Sequence, residues 1–357
     1  MQRISRSAER DQGRRSHLPV RSVLPPAEEL STGHPHPMAA AAFVKAGETL
    51  NSAELTNFFR RGEKMTEEEK GCTLCPRNCR AKRYPDHGNG YCRMGTLPMI
   101  SRAAPHMWEE PCISGTKGSG TIFFTGCVLS CVFCQNYCIS TENKGRVITV
   151  DELVDHVKRL EQIGVHNINL VSPTPYIDCI VDCFTRYRPS VPVVYNTGGY
   201  EKAESLKKLE GIVDIYLPDL KYISSEKSRK YSGAADYFEY ASSAIDEMVR
   251  QTGKPVIGSN GIMQRGTIVR HLILPSNTKN SIEVIRYLDK KYGDEILVSL
   301  MGQYIPEGRA GEFPEINRTI TPREYDKVLA VLEGTDLDGF AQELDSARKE
   351  YIPDFDL

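Results

Sequence analysis

Eight of the eleven cysteines fall into two clusters, Cys72/Cys75/Cys79/Cys92 and Cys127/Cys131/Cys134/Cys138. Their spacing is uneven, and no long apolar stretch precedes Met38, so a secreted disulfide framework is not indicated. Thiolates brought together at one-turn spacing are soft ligands, which suit zinc and iron–sulfur clusters. Cys127, Cys131 and Cys134 read C-x3-C-x2-C within "TGCVLSCVFCQNYCIS". A cubane wholly ligated by protein uses four cysteines, one per iron, and three leave one iron open to a small molecule. Cys138 can serve as a fourth ligand, but we read it as a bystander. The bland alternative is a structural zinc or a fully ligated cluster.

The second set, Cys72-x2-Cys75-x3-Cys79-x12-Cys92, lies in a segment rich in Gly, Pro and Arg with little periodicity. One metal there can cross-link the segment and contribute folding free energy. Tetrahedral zinc and a second iron–sulfur cluster both fit four thiolates, and reduced free thiols are the simplest reading. His106, Trp108, Glu109, Glu110 and Cys112 follow. Trp108, the only tryptophan, is expected to pack. Glu109 and Glu110 suit substrate contacts or salt bridges to arginines. Arg270 and Gln303, on or after late strands, are candidates to face substrate, and Arg270 alternatively neutralises a carboxylate inside the fold. Cys179 and Cys183, spaced i, i+4 on an apolar helix, are expected in the core.

These residues need a scaffold, and from Thr121 onward its elements are legible. "TIFFTG" reads as a strand, and Thr149-Val-Asp-Glu152 is a capping box opening a helix that Gly164 closes. Strands follow at 167–171, 191–196, 213–217, 266–274 and 296–301. Each of the six is followed by a helix or helical region, the last opening at the Thr321–Glu324 capping box. Continuous apolar strands alternating with helices imply a parallel sheet buried on both faces. A doubly wound sheet and a partly open relative of the (β/α) barrel both satisfy this, and both put reactive groups at strand C-termini.

"GCVLSCVFCQN", with glycine before the first cysteine and Phe133 before the third, resembles the signature of the radical S-adenosylmethionine (radical SAM) superfamily. "NTGGY", "LPDLKY" and "RHLILPS" resemble the branch containing the pyruvate formate-lyase activating enzymes. "CTLCPRNC…GYC", "HMWEEPCISG" and "LMGQYIP" narrow the likeness, which spans roughly residues 70 to 357, to an uncharacterised part of that branch.

The resemblance implies a partial (β/α)6 TIM-type barrel behind a Cys-rich N-terminal segment. It implies a [4Fe-4S] cluster on Cys127, Cys131 and Cys134, with S-adenosylmethionine chelating the fourth iron. Reductive cleavage of that molecule to a 5′-deoxyadenosyl radical, and hydrogen abstraction from a protein or small-molecule substrate, are the implied activity. Phe133 is then expected near the adenine, and Asn196 and Thr197 near the ribose or carboxylate. Asp219 and Lys221 are expected to face S-adenosylmethionine and substrate. In place of the superfamily's "GGE" element the chain has "VSPTPY", so Ser172 and Thr174 are expected to take over its contacts. Flavodoxin or ferredoxin is the implied electron donor. The rival reading is a non-catalytic protein with two four-cysteine metal sites, serving electron transfer or partner binding.

Length and composition set the remaining bounds. With 357 residues, 40% hydrophobic and 26% charged, the chain is an ordinary globular one. A net charge of −2 gives no global footprint for nucleic acid, which is not expected as a partner. No run of 18 apolar residues suggests a membrane span, and a cytoplasmic location is expected. Residues 1–49, with six arginines among the first 24 and Pro25, Pro26, Pro35 and Pro37, are expected to be a disordered or mis-assigned extension. Residues 50–118 form the Cys-rich segment, starting in a charged helix, and 119–357 the catalytic core.

Overall fold

The computed structural model describes residues 1–4, 44–45, 48–49, 71–342, 344 and 355. The chain divides into two compact units, Met1–Arg6 with Gly71–Leu357, and Ser7–Lys70. In the second unit Val44–Lys45 pairs antiparallel with Glu48–Thr49. The helix expected near residues 51–71, and most of the extension expected over 1–49, lie outside the described residues.

The first unit is built on strands β1 (Gln2–Ile4), β2 (Met99–His106), β3 (Ser119–Phe124), β4 (Ile168–Val171), β5 (Val193–Thr197), β6 (Ile215–Pro218), β7 (Met263–Leu272), β8 (Leu297–Met301) and β9 (Asp338–Ala341). Strands β3 to β9 are parallel and lie side by side in chain order. That order decides between the two folds the sequence allowed. A doubly wound sheet reverses its strand order at a switch point, whereas an unbroken order with right-handed crossovers puts every helix on one face and makes the sheet curl. The fold is the partial barrel. Every residue of β3, β4, β5 and β6 is buried, as a sheet covered on both sides requires.

The outer layer comprises α1 (Val150–Ile163), α2 (Ile177–Arg186), α3 (Ala203–Leu206), α4 (Ser225–Ser232), α5 (Tyr237–Thr252), α6 (Thr278–Tyr292) and α7 (Pro322–Glu333). Both capping boxes form. Thr149 accepts from the Glu152 amide at 3.2 Å while Glu152 accepts from the Thr149 amide at 2.7 Å, and Thr321 and Glu324 repeat the pattern. Gly164 closes α1 at φ 87°, in the left-handed region.

Three elements differ from expectation. The Cys-rich stretch, read as loop, contains the eight-residue strand β2, which pairs antiparallel with β3. A seventh parallel strand, β9, follows α7. Gln2–Ile4, within the supposed extension, is itself a strand paired with Gly339–Ala341. The two additions at the barrel's ends have one cause: an open sheet exposes unpaired backbone groups at its edges, and antiparallel β1 and β2 cover β9 and β3.

Candidate active site

The loop after β3 carries Cys127, Cys131 and Cys134, and all three line one cavity of about 230 Å³ at the C-terminal ends of the strands. Loop geometry begins at Gly126, whose φ of +85° is left-handed; a Cβ there would sit 2.3 Å from Met94 Cγ. Each sulfur has a donor in reach. The Leu129 amide donates to Cys127 Sγ at 3.4 Å, Ser140 Oγ donates to Cys134 Sγ at 3.2 Å, and Ser232 Oγ lies 3.0 Å from Cys131 Sγ. Cys138 instead packs with Phe123, Ile139 and Val171, outside that wall.

Burial pushes all three thiols up: Cys127 is raised further by Cys131 and Cys134, and Cys134 reaches about 11 with help from Cys131. Cys131 rises by burial against the opposing Lys221 ammonium. Three soft donors this crowded ionise only with positive charge among them, which an iron–sulfur cluster supplies. Among the described residues no three His, Cys, Asp or Glu side chains converge as a shell for a single ion. Three thiols on one cavity wall, with Cys138 outside it, fit a cubane that leaves one iron open.

Around the same cavity each strand contributes from its end. Phe133 is buried and packs at 5.8 Å between centroids on Tyr304. Ser172, directly after β4, adopts φ +57°, a left-handed conformation that costs a non-glycine residue free energy. Asn196 and Thr197 end β5 in the cavity wall. Asp219 and Lys221, after β6, line the cavity and pair with each other, with only 12% and 15% of their side chains exposed. Arg270 of β7 holds the centre: its Nε–H donates to Asp219 at 3.0 Å, a terminal N–H donates to Glu109 at 3.2 Å, and another to Asn196.

Burial works to raise Asp219, and Lys221 and Arg270 outweigh it, holding its carboxyl below the usual range. Glu109 goes the other way, raised by burial against Arg270. The result is a fixed lattice of buried charge facing the cavity. The loops that carry it are tied by Tyr237, whose hydroxyl donates toward the Gly198 and Asp219 carbonyls at 2.9 and 2.8 Å. At Gly199, φ +82°, a Cβ would lie 2.1 Å from the Asp219 carbonyl oxygen, so only glycine lets these loops meet.

Several residues depart from the sequence reading. Thr174 does not reach the cavity; it is buried and donates to Glu201 at 2.5 Å. The turn after Ser172 folds its side chain behind the wall instead. Glu201 was missed altogether. It is fully buried, accepts from Thr174, Thr197 and Tyr195 on Oε1, leaves Oε2 without a partner, and is pushed up to about 7 by burial. Trp108, expected to pack, is 58% exposed at the cavity rim. Gln303 and His106 also line the cavity. Glu110 and Cys112 are buried away from it, and Cys183 lies in the core with Cys179 at its edge.

The second cysteine set does not form a single-ion site either. Cys75 is buried, Cys79 is exposed, and Cys72 and Cys92 lie between. The turn packs against the cluster loop through Arg77, whose Nε–H donates to the Val128 carbonyl at 2.8 Å and whose guanidinium stacks 3.8 Å from the Tyr91 ring.

The radical SAM superfamily model matches residues 121–298. An uncharacterized protein of Methanocaldococcus jannaschii is 31% identical over 279 residues, 75% of this chain and 76% of that protein. A second from the same organism is 25% identical over 293 residues, 76% and 81% of the two chains. Among solved structures, Streptococcus suis SuiB bound to S-adenosylmethionine matches with a TM-score of 0.44 at 12% identity. That match covers 63% of this chain and 51% of SuiB, about half the latter's length. The chain belongs to the radical SAM superfamily, with a [4Fe-4S] cluster and S-adenosylmethionine as its cofactors.

Proposed function

We propose that this enzyme abstracts a hydrogen atom from a protein or small-molecule substrate, and that activation of a glycyl-radical enzyme is the leading case. The observation that carries the reading is the shared cavity wall, in which three half-buried thiols face Asn196, Thr197, Asp219, Lys221 and Arg270. Cys127, Cys131 and Cys134 would hold three irons of the cluster. When bound, the cofactors supply an electron, its transfer to S-adenosylmethionine, and the 5′-deoxyadenosyl radical that results.

The protein's share is placement. Phe133 would support the adenine, and Ser172, Asn196 and Thr197 would take the polar groups of S-adenosylmethionine. Asp219 and Lys221 would hold the substrate side, with Arg270 keeping both in register. Buried walls exclude water that would quench a radical. All eleven cysteines are free, which suits a reducing cytoplasmic setting.

Anaerobic reconstitution with iron and sulfide, followed by S-adenosylmethionine and dithionite, should yield 5′-deoxyadenosine. Production should vanish in Cys134→Ala and persist in Cys138→Ser. Loss of the cluster in Cys138→Ser, with no 5′-deoxyadenosine from wild type, would instead support the rival two-site metal protein. Adding a glycyl-radical enzyme and looking for its glycyl signal by electron paramagnetic resonance tests the substrate.

A further inference from the structure

A second hollow, about 660 Å³, opens on the outer side of β2 and carries Arg102, Lys144, Arg146, His156 and Arg159 with no acidic residue in its wall. Glu142 and Glu152 pair with Lys144 and Arg146 from outside it, at 3.1 and 3.0 Å, and Asp155 lies beside His156. Those pairs are solvent-exposed, 44% or more for each partner, so a competing carboxylate displaces them at small cost. Burial, then Arg159 and Arg146, lower the His156 pKa, so the lasting charge there is the three arginines and the lysine. Such a concentration of cations is notable on a chain whose net charge is −2.

Position gives the hollow its meaning. The segment that supplies Asn143, Lys144 and Arg146 begins at the cluster loop. Thr125 Oγ1, two residues before Cys127, donates to the Lys144 carbonyl at 2.8 Å. Ser140 Oγ, four residues before Lys144, donates to Cys134 Sγ at 3.2 Å, and the Lys144 amide donates to the Cys138 carbonyl at 3.1 Å. Two short covalent and hydrogen-bonded routes thus run from the basic wall to two of the three cysteine sulfurs, and the hollow shares no lining residue with the barrel cavity where substrate is expected.

We infer that this basic hollow is the docking site for an acidic one-electron carrier protein. The inference rests on the reading of Cys127, Cys131 and Cys134 as cluster ligands. In the step itself one electron leaves the carrier and enters the cluster, and no bond forms or breaks. Separate faces for reductant and substrate let the cluster be reduced while the barrel mouth is closed by substrate. Complementary charge of this kind raises the association rate and makes it salt-dependent.

The test uses the reconstituted full chain, reduced flavodoxin, and the double variant Lys144→Glu/Arg159→Glu, with Lys144→Gln/Arg159→Gln as the milder form. Binding is read by thermophoresis at low and high salt. Flavodoxin should bind wild type in a salt-sensitive way and bind the charge-reversed variant about 10-fold more weakly, with the neutral variant between. Flavodoxin-driven 5′-deoxyadenosine formation should fall in parallel, while dithionite-driven formation stays within about 2-fold, since a small reductant needs no docking. Equal flavodoxin binding by wild type and both variants would overturn the docking site. So would tighter binding of a single-stranded oligonucleotide than of flavodoxin, which would make the hollow a nucleic-acid site. If wild type forms no 5′-deoxyadenosine even with dithionite, the proposed activity fails, and the binding result alone decides the docking site.

Discussion

Glu201 shows what a single buried carboxyl does behind a cavity wall. Three hydroxyls converge on one of its oxygens, and the other has no partner. Burial raises its pKa from 4.5 to about 7, so the folded protein favours the protonated form. The sign follows: stability from this group is full below about pH 4.5 and is lost as pH rises through about 7. Across that window the loss is on the order of 3 kcal/mol. Glu201→Gln keeps an oxygen for the three hydroxyls and removes the titration. Melting temperatures measured from pH 5 to 8 should therefore fall more steeply for wild type than for the variant. Parallel curves would mean that Glu201 is ionised in the fold.

None of this was legible in "NTGGYE" alone. The glycines and the strand-end position of Asn196 and Thr197 could be read, but Thr174 lies 27 residues from Glu201. Their meeting depends on the turn angle at Ser172. Arg270 poses the same difficulty. Its possible role as neutralising partner was foreseeable from a cation on a buried strand, but its reach to Glu109 spans 161 residues of sequence.

Local signals proved reliable at the level of elements because their physics is local. The Thr149/Glu152 and Thr321/Glu324 boxes are closed by groups three residues apart, so the sequence contains the whole interaction. Strand β2 escaped because its residues alternate imperfectly and its burial depends on β3, and β9 because "DGFA" opens with Asp and Gly instead of an apolar run. The turn "CPRNC" is the element whose role only the fold reveals. Arg77 donates to the Val128, Ser232 and Gly233 carbonyls, clamping the cluster loop to the end of α4. Arg77→Ala should destabilise the protein by about 1 kcal/mol, since it removes the donor from the part-buried Val128 and Ser232 carbonyls. Reconstituted iron should also pass faster to an added chelator. Arg77→Lys should rescue little, because an ammonium cannot match three carbonyls and an aromatic face at once. Iron release at the wild-type rate in Arg77→Ala would remove the clamp from the account.

On the scale of the whole molecule, the parallel order of β3 to β9 places the three-cysteine loop at one end of the barrel, and the Arg77 contact brings the second cysteine set against the back of that loop. Two thiol-rich segments in contact pose a question of electron flow as well as of stability. The second set lacks a single-ion shell, with Cys79 exposed while Cys75 is buried. Cys92 nonetheless feels both Cys72 and Cys79, and Cys75 feels Cys92 and Cys72, so the four sulfurs share one neighbourhood. Four thiols in one neighbourhood can hold a tetrahedral ion at about 2.3 Å from every sulfur or a cluster, and we propose the cluster. A variant with Cys127, Cys131 and Cys134 all changed to alanine should accordingly retain iron after anaerobic reconstitution, and further change of Cys75 to alanine should release it. Metal analysis separates the alternatives directly. Zinc without iron would make the segment a structural cross-link. Neither metal would leave Cys72, Cys75, Cys79 and Cys92 as free thiols, and the hold on the cluster loop would then rest on Arg77 and on packing such as that of Cys75.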